Sequence, residues 1–120
     1  MSNSEIKAHV LSIIKDIENG ILVTPEDIND GLYDEGQYEA GDIISGMDYI
    51  IDALDINWVL NSDRSYRGAR LLVAFGGPNI YIDTVKNTVE GYWWGDSYTD
   101  SFTVDAMDIQ GQCQELYECC

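Results

Sequence analysis

Apolar residues recur every three or four positions near the start of the chain, which is the periodicity of an amphipathic helix. Ser2 followed by Glu5 has the form of a capping box at the helix start, and Asn19-Gly20 is typical of a helix end. The apolar face of this first predicted helix consists of Ile6, Val10, Ile13, Ile14 and Ile17.

Two more helices are predicted before the pattern changes. Thr24-Pro25-Glu26-Asp27 combines an N-cap, a first-turn proline and first-turn acids, so it begins a short helix that ends near Gly31 or Leu32. The stretch 33–41 is rich in Gly, Asp, Glu and Tyr and is predicted to be a loop. A third helix is predicted from about Asp42 to Leu54, with an apolar face of Ile43, Ile44, Met47, Ile50, Ile51 and Leu54.

Short β-rich runs separated by turn residues follow these helices. Gly76-Gly77-Pro78-Asn79 and Lys86-Asn87-Thr88 have the composition of turns between neighbouring strands, and Gly95-Asp96 is predicted to end the last strand. The predicted strands are Ile56–Leu60, Ala69–Phe75, Ile80–Val85 and Val89–Trp94. Because short turns join them in sequence order, we expect an antiparallel meander.

The last predicted element is a helix from Thr103 to Cys120, with Thr103 as its cap. N-terminal helices, an antiparallel meander of about four strands and a C-terminal helix define an α+β fold. A chain of 120 residues has the size of one domain, so residues 1–120 are predicted to form a single domain.

The charge changes this picture of an ordinary small domain. Twenty-two acidic residues against six basic ones give a net charge of −16, whereas solubility needs a magnitude of only about 2 to 8. The stretch 16–63 contains no Lys or Arg and carries Asp16, Glu18, Glu26, Asp27, Asp30, Asp34, Glu35, Glu39, Asp42, Asp48, Asp52, Asp55 and Asp63. The next basic residues, Arg64, Arg67 and Arg70, are predicted to pair with nearby carboxylates.

Catalytic chemistry has little support in the sequence. The histidine His9 stands alone inside the first helix, and no Gly-x-Ser-x-Gly nucleophile motif is present. With so many carboxylates, a close pair of them is no signal of acid–base catalysis. We therefore predict no catalytic residues, no cofactor and a protein that is not an enzyme.

Metal and nucleic-acid sites are not predicted either. Cys113, Cys119 and Cys120 are confined to the end of the chain, so reduced thiols are favoured over a disulfide framework or a metal cluster. Asp27 to Gly31 resembles the start of a calcium loop, but its glycine is one place too early. Direct binding of nucleic acid requires many Lys and Arg side chains, which this chain lacks.

The pattern points instead to a basic protein partner. A segregated acidic surface attracts basic surfaces and speeds their association. Trp93 and Trp94 point to opposite faces of a predicted strand, so one is expected in the core and the other exposed, unless both are packed. The predicted partner-binding residues are Glu26, Asp27, Asp30, Asp34, Glu35, Glu39, Asp42, Asp48, Asp52, Asp55 and Trp94. The alternatives are an acidity that serves solubility alone or adaptation to high salt.

The sequence also predicts a cytoplasmic protein. No apolar run approaches the roughly 20 residues of a membrane helix. The first residues lack the basic and then apolar pattern of a secretory signal.

Two segments in the C-terminal half carry a resemblance. Gly76 to Thr84 and Val89 to Asp96, in a small acidic chain, resemble proteins of phages and bacterial mobile elements of the anti-CRISPR and anti-restriction kind. The resemblance implies an inhibitor that binds a CRISPR effector nuclease in the bacterial cytoplasm and blocks DNA engagement, by mimicking DNA phosphates or by an allosteric block. It carries no functional residues over to this chain. A phage assembly or regulatory protein with a basic partner is the alternative function, and a small enzyme is the third.

Overall fold

The computed structural model describes residues 3–119 of the chain. Its helices are α1 (Asn3–Asn19), α2 (Pro25–Asn29), α3 (Gly46–Ile51) and α4 (Ile109–Glu118). Its strands are β1 (Asp55–Leu60), β2 (Tyr66–Ala74), β3 (Asn79–Asp83), β4 (Thr88–Trp93) and β5 (Asp96–Ser101). This order confirms the predicted α+β class. The predicted cap Ser2 and the predicted last helical residue Cys120 lie outside the described residues.

The strands form one antiparallel meander in the order β1-β2-β3-β4-β5. The meander was predicted, but the count of about four strands was wrong, because β5 follows the point where the last strand was expected to end. Its sequence, Asp96-Ser97-Tyr98-Thr99-Asp100-Ser101, holds one large apolar side chain, and four of its six residues are exposed. An edge strand with so little to bury gives no apolar alternation.

The third helix is much shorter than predicted, because the chain before it is used for backbone pairing. Leu22 and Ile43 form an isolated antiparallel bridge, and the Ile44 N–H donates to the Ile21 carbonyl at 3.0 Å. Helix α3 therefore begins only after Ser45, whose hydroxyl caps it by accepting from the Asp48 N–H. Three residues of the predicted apolar face, Ile43, Ile51 and Leu54, are exposed.

The last helix also begins later than predicted. The N–H and hydroxyl of Thr103 both donate to the Glu18 carboxylate on α1, at 2.9 and 3.3 Å. The carboxylates of Asp105 and Asp108 accept from the first N–H groups of α4 instead, and Asp108 is its N-cap. Thr103 is therefore a link between β5 and α1 and does not cap a helix.

Helices α1 and α4 cover one face of the sheet. On β4, Gly91 leaves room for α1, since a Cβ there would lie 2.8 Å from Val10 and 2.9 Å from Ile6. On the same face, Tyr117 of α4 packs edge-on against Trp58 of β1 at 5.4 Å. The buried core between these layers consists of Ile6, Val10, Ile14, Ile17, Ile50, Ala69, Leu71, Ile80, Ile82, Val89, Phe102, Met107, Ile109 and Cys113.

The opposite face of the central strands holds a cluster of charged and aromatic side chains. Arg70 of β2 forms an ion pair with Glu90 of β4 at 3.0 Å. The Arg70 guanidinium lies 3.7 Å from the ring centroid of Tyr81, and the Tyr92 hydroxyl donates to Glu90 at 2.9 Å. These contacts define the Arg70 cluster, which consists of Arg70, Tyr81, Glu90 and Tyr92.

Within residues 3–119, none of the helices is both long enough and apolar enough to cross a membrane.

Candidate acidic docking site

Residues 25–55, here called the acidic lobe, form one continuous part of the fold. Val23, which precedes the lobe, is hydrogen-bonded to the middle of it. The Val23 N–H donates to the Asp42 carbonyl, and the Gly41 N–H donates to the Val23 carbonyl, both at 2.8 Å. At its far end the Leu54 N–H donates to the Leu72 carbonyl of β2 at 2.8 Å. This bond anchors the end of the lobe to the sheet.

The start of the lobe is the helix cap that the sequence predicted. Thr24 accepts from the Asp27 N–H at 3.1 Å, and Asp27 accepts from the Thr24 N–H at 3.0 Å, which completes a capping box. Asp27, a predicted site residue, is therefore held in place by its own role as a cap. Helix α2 ends at Asn29, slightly before the predicted end near Gly31 or Leu32.

A groove of about 550 Å³ runs between the loop of the lobe, α3 and the end of β2. Three predicted site residues, Asp34, Asp48 and Asp52, line this groove together. The other lining residues are mostly apolar or aromatic: Ile21, Leu32, Tyr33, Gln37, Tyr38, Ile44, Tyr49, Ile51, Ala53 and Val73. The groove thus combines apolar lining residues with carboxylates, which is the composition of a binding cleft with a few charged groups.

Asp48 is the most firmly held carboxylate of the groove. The Tyr38 hydroxyl donates to it, and the Gln37 side-chain amide donates to the same oxygen at 3.1 Å. The Ser45 N–H in turn donates to the Tyr38 hydroxyl oxygen at 2.9 Å. The hydrogen bond from Tyr38 is the main cause that lowers the pKa of Asp48 below its usual value, so this carboxylate is ionised at neutral pH.

Tyr33 and Tyr49 are the other titratable rings of the groove. Burial raises the pKa of Tyr33, and electrostatic interaction with Asp27, Tyr38 and Asp52 raises it further. Burial raises the pKa of Tyr49 to about 12. Both phenols therefore stay neutral near pH 7, and the negative charge of the groove comes from its carboxylates.

The remaining acidic residues of the predicted site do not line the groove. Glu26, Asp30, Glu35 and Glu39 are all exposed. Asp42 accepts from the Glu39 N–H at 2.8 Å and holds the loop. The remaining one, Asp55, begins β1 and accepts from the Asn57 amide at 3.2 Å.

Trp94 lies on another part of the molecule. Trp94 and Gly95 have φ values of 54° and 81° and connect β4 to β5 in a two-residue turn, which leaves Trp94 80% exposed. Trp93 packs against the core. One Trp is exposed and the other packed, as one of the predicted alternatives had it, but the cause is the turn and not alternation along a strand.

The chain's own cations do not neutralise the lobe in the part that the structure describes. The ion pair found there joins Arg70 to Glu90 in the sheet, so the pairing predicted for all three arginines is confirmed for Arg70. Arg64 and Arg67 are exposed near the β1–β2 turn and form no ion pair with a described residue. The exposed carboxylates of the lobe are therefore available to cations of another molecule.

Two groove residues, Tyr33 and Tyr38, escaped the sequence reasoning. Their rings contact each other edge-on, with centroids 5.0 Å apart. Their segment, 33–41, was predicted to be a loop on account of its Gly, Asp, Glu and Tyr content. Two tyrosines within such a polar stretch were a signal that it folds back on apolar residues.

Histidine and cysteine side chains are the usual candidates for catalysis or metal binding. His9 is exposed on α1, and Cys113 is fully buried, with its pKa raised by burial to about 12. Among the side chains that the structure places, no three His, Cys, Asp or Glu are arranged to hold a metal ion. The chemistry that the lobe offers is recognition of positive charge.

Comparison with known proteins gave no relative: no family model, no curated protein and no solved structure matched this chain.

Proposed function

We propose that this chain is a non-catalytic inhibitor whose acidic lobe docks onto the DNA-binding surface of a bacterial defence nuclease, most directly a CRISPR effector. The observation that carries the proposal is the set of lobe carboxylates that are exposed or line one groove and have no cation of their own within the described residues. Such an inhibitor acts in the cytoplasm of the bacterial host, where the nuclease is found.

Electrostatics explains why a nuclease is a suitable partner. Duplex DNA presents one negative charge per about 1.7 Å of its axis, and a nuclease meets it with a groove rich in Lys and Arg. The lobe carries Glu26, Asp30, Glu35 and Glu39 as exposed carboxylates. These can take the place of phosphates, and the net charge of −16 speeds the encounter with a basic surface.

An order-of-addition cleavage assay tests the proposal. Purified protein is mixed with a CRISPR effector or a restriction nuclease either before or after the nuclease has bound its DNA. We expect strong inhibition when the protein comes first and much weaker inhibition when the DNA is already bound. Added salt should weaken inhibition, because it screens the docking charges.

Two results would contradict this function. Inhibition that is independent of the order of addition would exclude competition with DNA and favour an allosteric block. An absence of inhibition across CRISPR effectors and restriction nucleases would favour the alternative, a phage assembly or regulatory protein that binds some other basic partner.

A further inference from the structure

The groove of the acidic lobe repeats most of an arginine-binding arrangement that this chain already contains. In the Arg70 cluster, the guanidinium lies 3.7 Å from the Tyr81 ring and 3.0 Å from Glu90. Tyr92 completes it by donating to Glu90 at 2.9 Å and by contacting Tyr81 edge-on at 6.2 Å and 69°. Two tyrosines in edge contact and one carboxylate thus hold one guanidinium.

The same three components meet in the groove. Tyr33 and Tyr38 are in edge contact at 5.0 Å and 67°. The Tyr38 hydroxyl donates to the carboxylate of Asp48, as that of Tyr92 does to Glu90. Within the described residues, the cations that contact an aromatic ring are Lys7 on Tyr98 and Arg70 on Tyr81. Neither cation lines the groove.

We infer that the groove binds a single arginine side chain of a protein partner, with its guanidinium held by Tyr33, Tyr38 and Asp48. Asp52 and Asp34, which line the same groove, add negative charge around the guanidinium. The apolar residues that line the groove suit the methylene stem of the arginine, because long cationic side chains bury their stems on apolar surface. The partner's being a protein rests on the proposed function, whereas recognition of a guanidinium rests on the groove itself.

Arginine fits this arrangement better than lysine does. A planar guanidinium can stack on an aromatic ring and still donate to a carboxylate at its edge, as Arg70 does. A lysine ammonium is a compact point charge and is more strongly hydrated, so it gains less from a tyrosine face. Discrimination between the two side chains is therefore part of the inference.

The test is an NMR titration of the full-length labelled chain at low ionic strength with acetyl-Gly-Arg-Gly-amide, and in parallel with acetyl-Gly-Lys-Gly-amide. We expect saturable shifts of the Tyr33 and Tyr38 ring signals and of the Asp48 and Asp52 amides. The arginine peptide should bind at least about threefold more tightly than the lysine peptide. Equal or tighter binding of the lysine peptide would overturn the assignment, and so would shifts located elsewhere on the chain.

Variants of groove residues, measured in the same titration, test whether the groove binds the arginine peptide. Asp48→Asn should weaken binding of the arginine peptide by about fivefold or more, since it removes the carboxylate that faces the guanidinium. Asp52→Asn is the second variant, since its side chain makes none of the described hydrogen bonds and its loss is not expected to disturb folding. Asp100→Asn is the matched control, because Asp100 also accepts from a tyrosine, Tyr98, but lies on β5. If neither groove variant weakens binding more than the control does, the inference is wrong.

The peptide titration and the nuclease assay can give different answers, so the arginine site and the proposed function are tested separately. Inhibition of a nuclease together with failure of the peptide to bind would overturn the arginine site and leave docking of the lobe intact. Peptide binding in the groove together with no effect on any nuclease would support the site and contradict the inhibitor.

Discussion

At the scale of single residues, hydrogen bonds decide which carboxylates shape the lobe. Asp27 and Asp42 accept from backbone N–H groups and fix the loop, and Asp48 is held by Tyr38. Glu26 and Glu35 are exposed side chains. Asp48 also lines the groove, so it stabilises the lobe and can meet an external cation, as the exposed carboxylates can.

Tyr38→Phe tests the residue that orders the groove. The change removes the hydroxyl that donates to Asp48 and accepts from the Ser45 N–H, at a cost of about 0.5–1 kcal/mol because the site is partly solvated. The pKa of Asp48 is below its ordinary value of 3.8 in the folded chain. The stabilisation that the ionised Asp48 carboxylate contributes to the fold is therefore present above pH 3.8 and is lost as the pH falls through the folded pKa.

Urea denaturation of the unchanged protein and of the Tyr38→Phe variant, at neutral pH and in strong acid, measures their free energies of unfolding. We expect the difference in unfolding free energy to be larger at neutral pH and to shrink in acid. A difference that is the same at both pH values would show that the hydroxyl does not act through the Asp48 carboxylate.

Cys113 provides a second prediction at this scale. It is fully buried, and burial raises the pKa of its thiol to about 12, whereas Cys119 is exposed. In a variant with Cys119→Ser and Cys120→Ser, we expect no reaction of Cys113 with a thiol reagent at pH 8 until denaturant is added. Rapid labelling of the folded variant would contradict the burial of α4 against the sheet.

At the scale of elements, the position of α3 sets the groove, because Asp48 and Asp52 lie within it or directly after it. Helix α3 packs closely on the segment before α4: a Cβ at Gly46 would lie 2.0 Å from the Met107 carbonyl oxygen. A backbone oxygen cannot move aside as a side chain can. Gly46 is therefore needed for this contact.

Gly46→Ala should destabilise the fold by about 1–3 kcal/mol, although alanine alone favours a helix over glycine by about 1 kcal/mol. Gly77→Ala is the matched control, because its Cβ would meet its nearest neighbour only at 3.8 Å. Thermal unfolding of the two variants measures the difference. Equal stability of both would contradict the close packing of α3.

Local signals predicted some elements well and missed others for identifiable reasons. Thr24 caps α2 as expected, because a cap, its proline and its first-turn acid are neighbours in sequence. Thr103 does not cap a helix, because it bonds to Glu18, a residue far away along the chain. The same holds for the start of α3, which the pairing of Leu22 with Ile43 delays. Long-range contacts of this kind leave no local pattern.

At the scale of the whole molecule, the dominant quantity is the net charge of −16. The segregation of acids was visible in the sequence, and so were the acidic residues of the lobe. The groove itself was not visible there, because Tyr33, Tyr38 and Asp48 come together only after the loop folds back onto α3. The resemblance to anti-CRISPR proteins stays a prediction.

The charge should also make stability depend on salt. We expect the melting temperature to rise from very low salt to physiological NaCl, by about 4 °C for each 1 kcal/mol of repulsion that is screened. A lobe variant, Glu26→Gln with Asp30→Asn, Glu35→Gln and Glu39→Gln, should show a smaller rise. A melting temperature that falls with added NaCl would mean that attractive pairs outweigh the repulsion.

The most direct test of the account compares that lobe variant with an equally neutralised variant outside the lobe, Glu5→Gln with Asp100→Asn, Glu115→Gln and Glu118→Gln. Both lose the same charge from exposed positions. The measurement is the dissociation constant of each variant for the inhibited nuclease at one fixed salt concentration. We expect a loss of affinity of about tenfold or more for the lobe variant and of about twofold or less for the other. Equal losses would show that binding depends on total charge alone and would contradict a docking site in the acidic lobe.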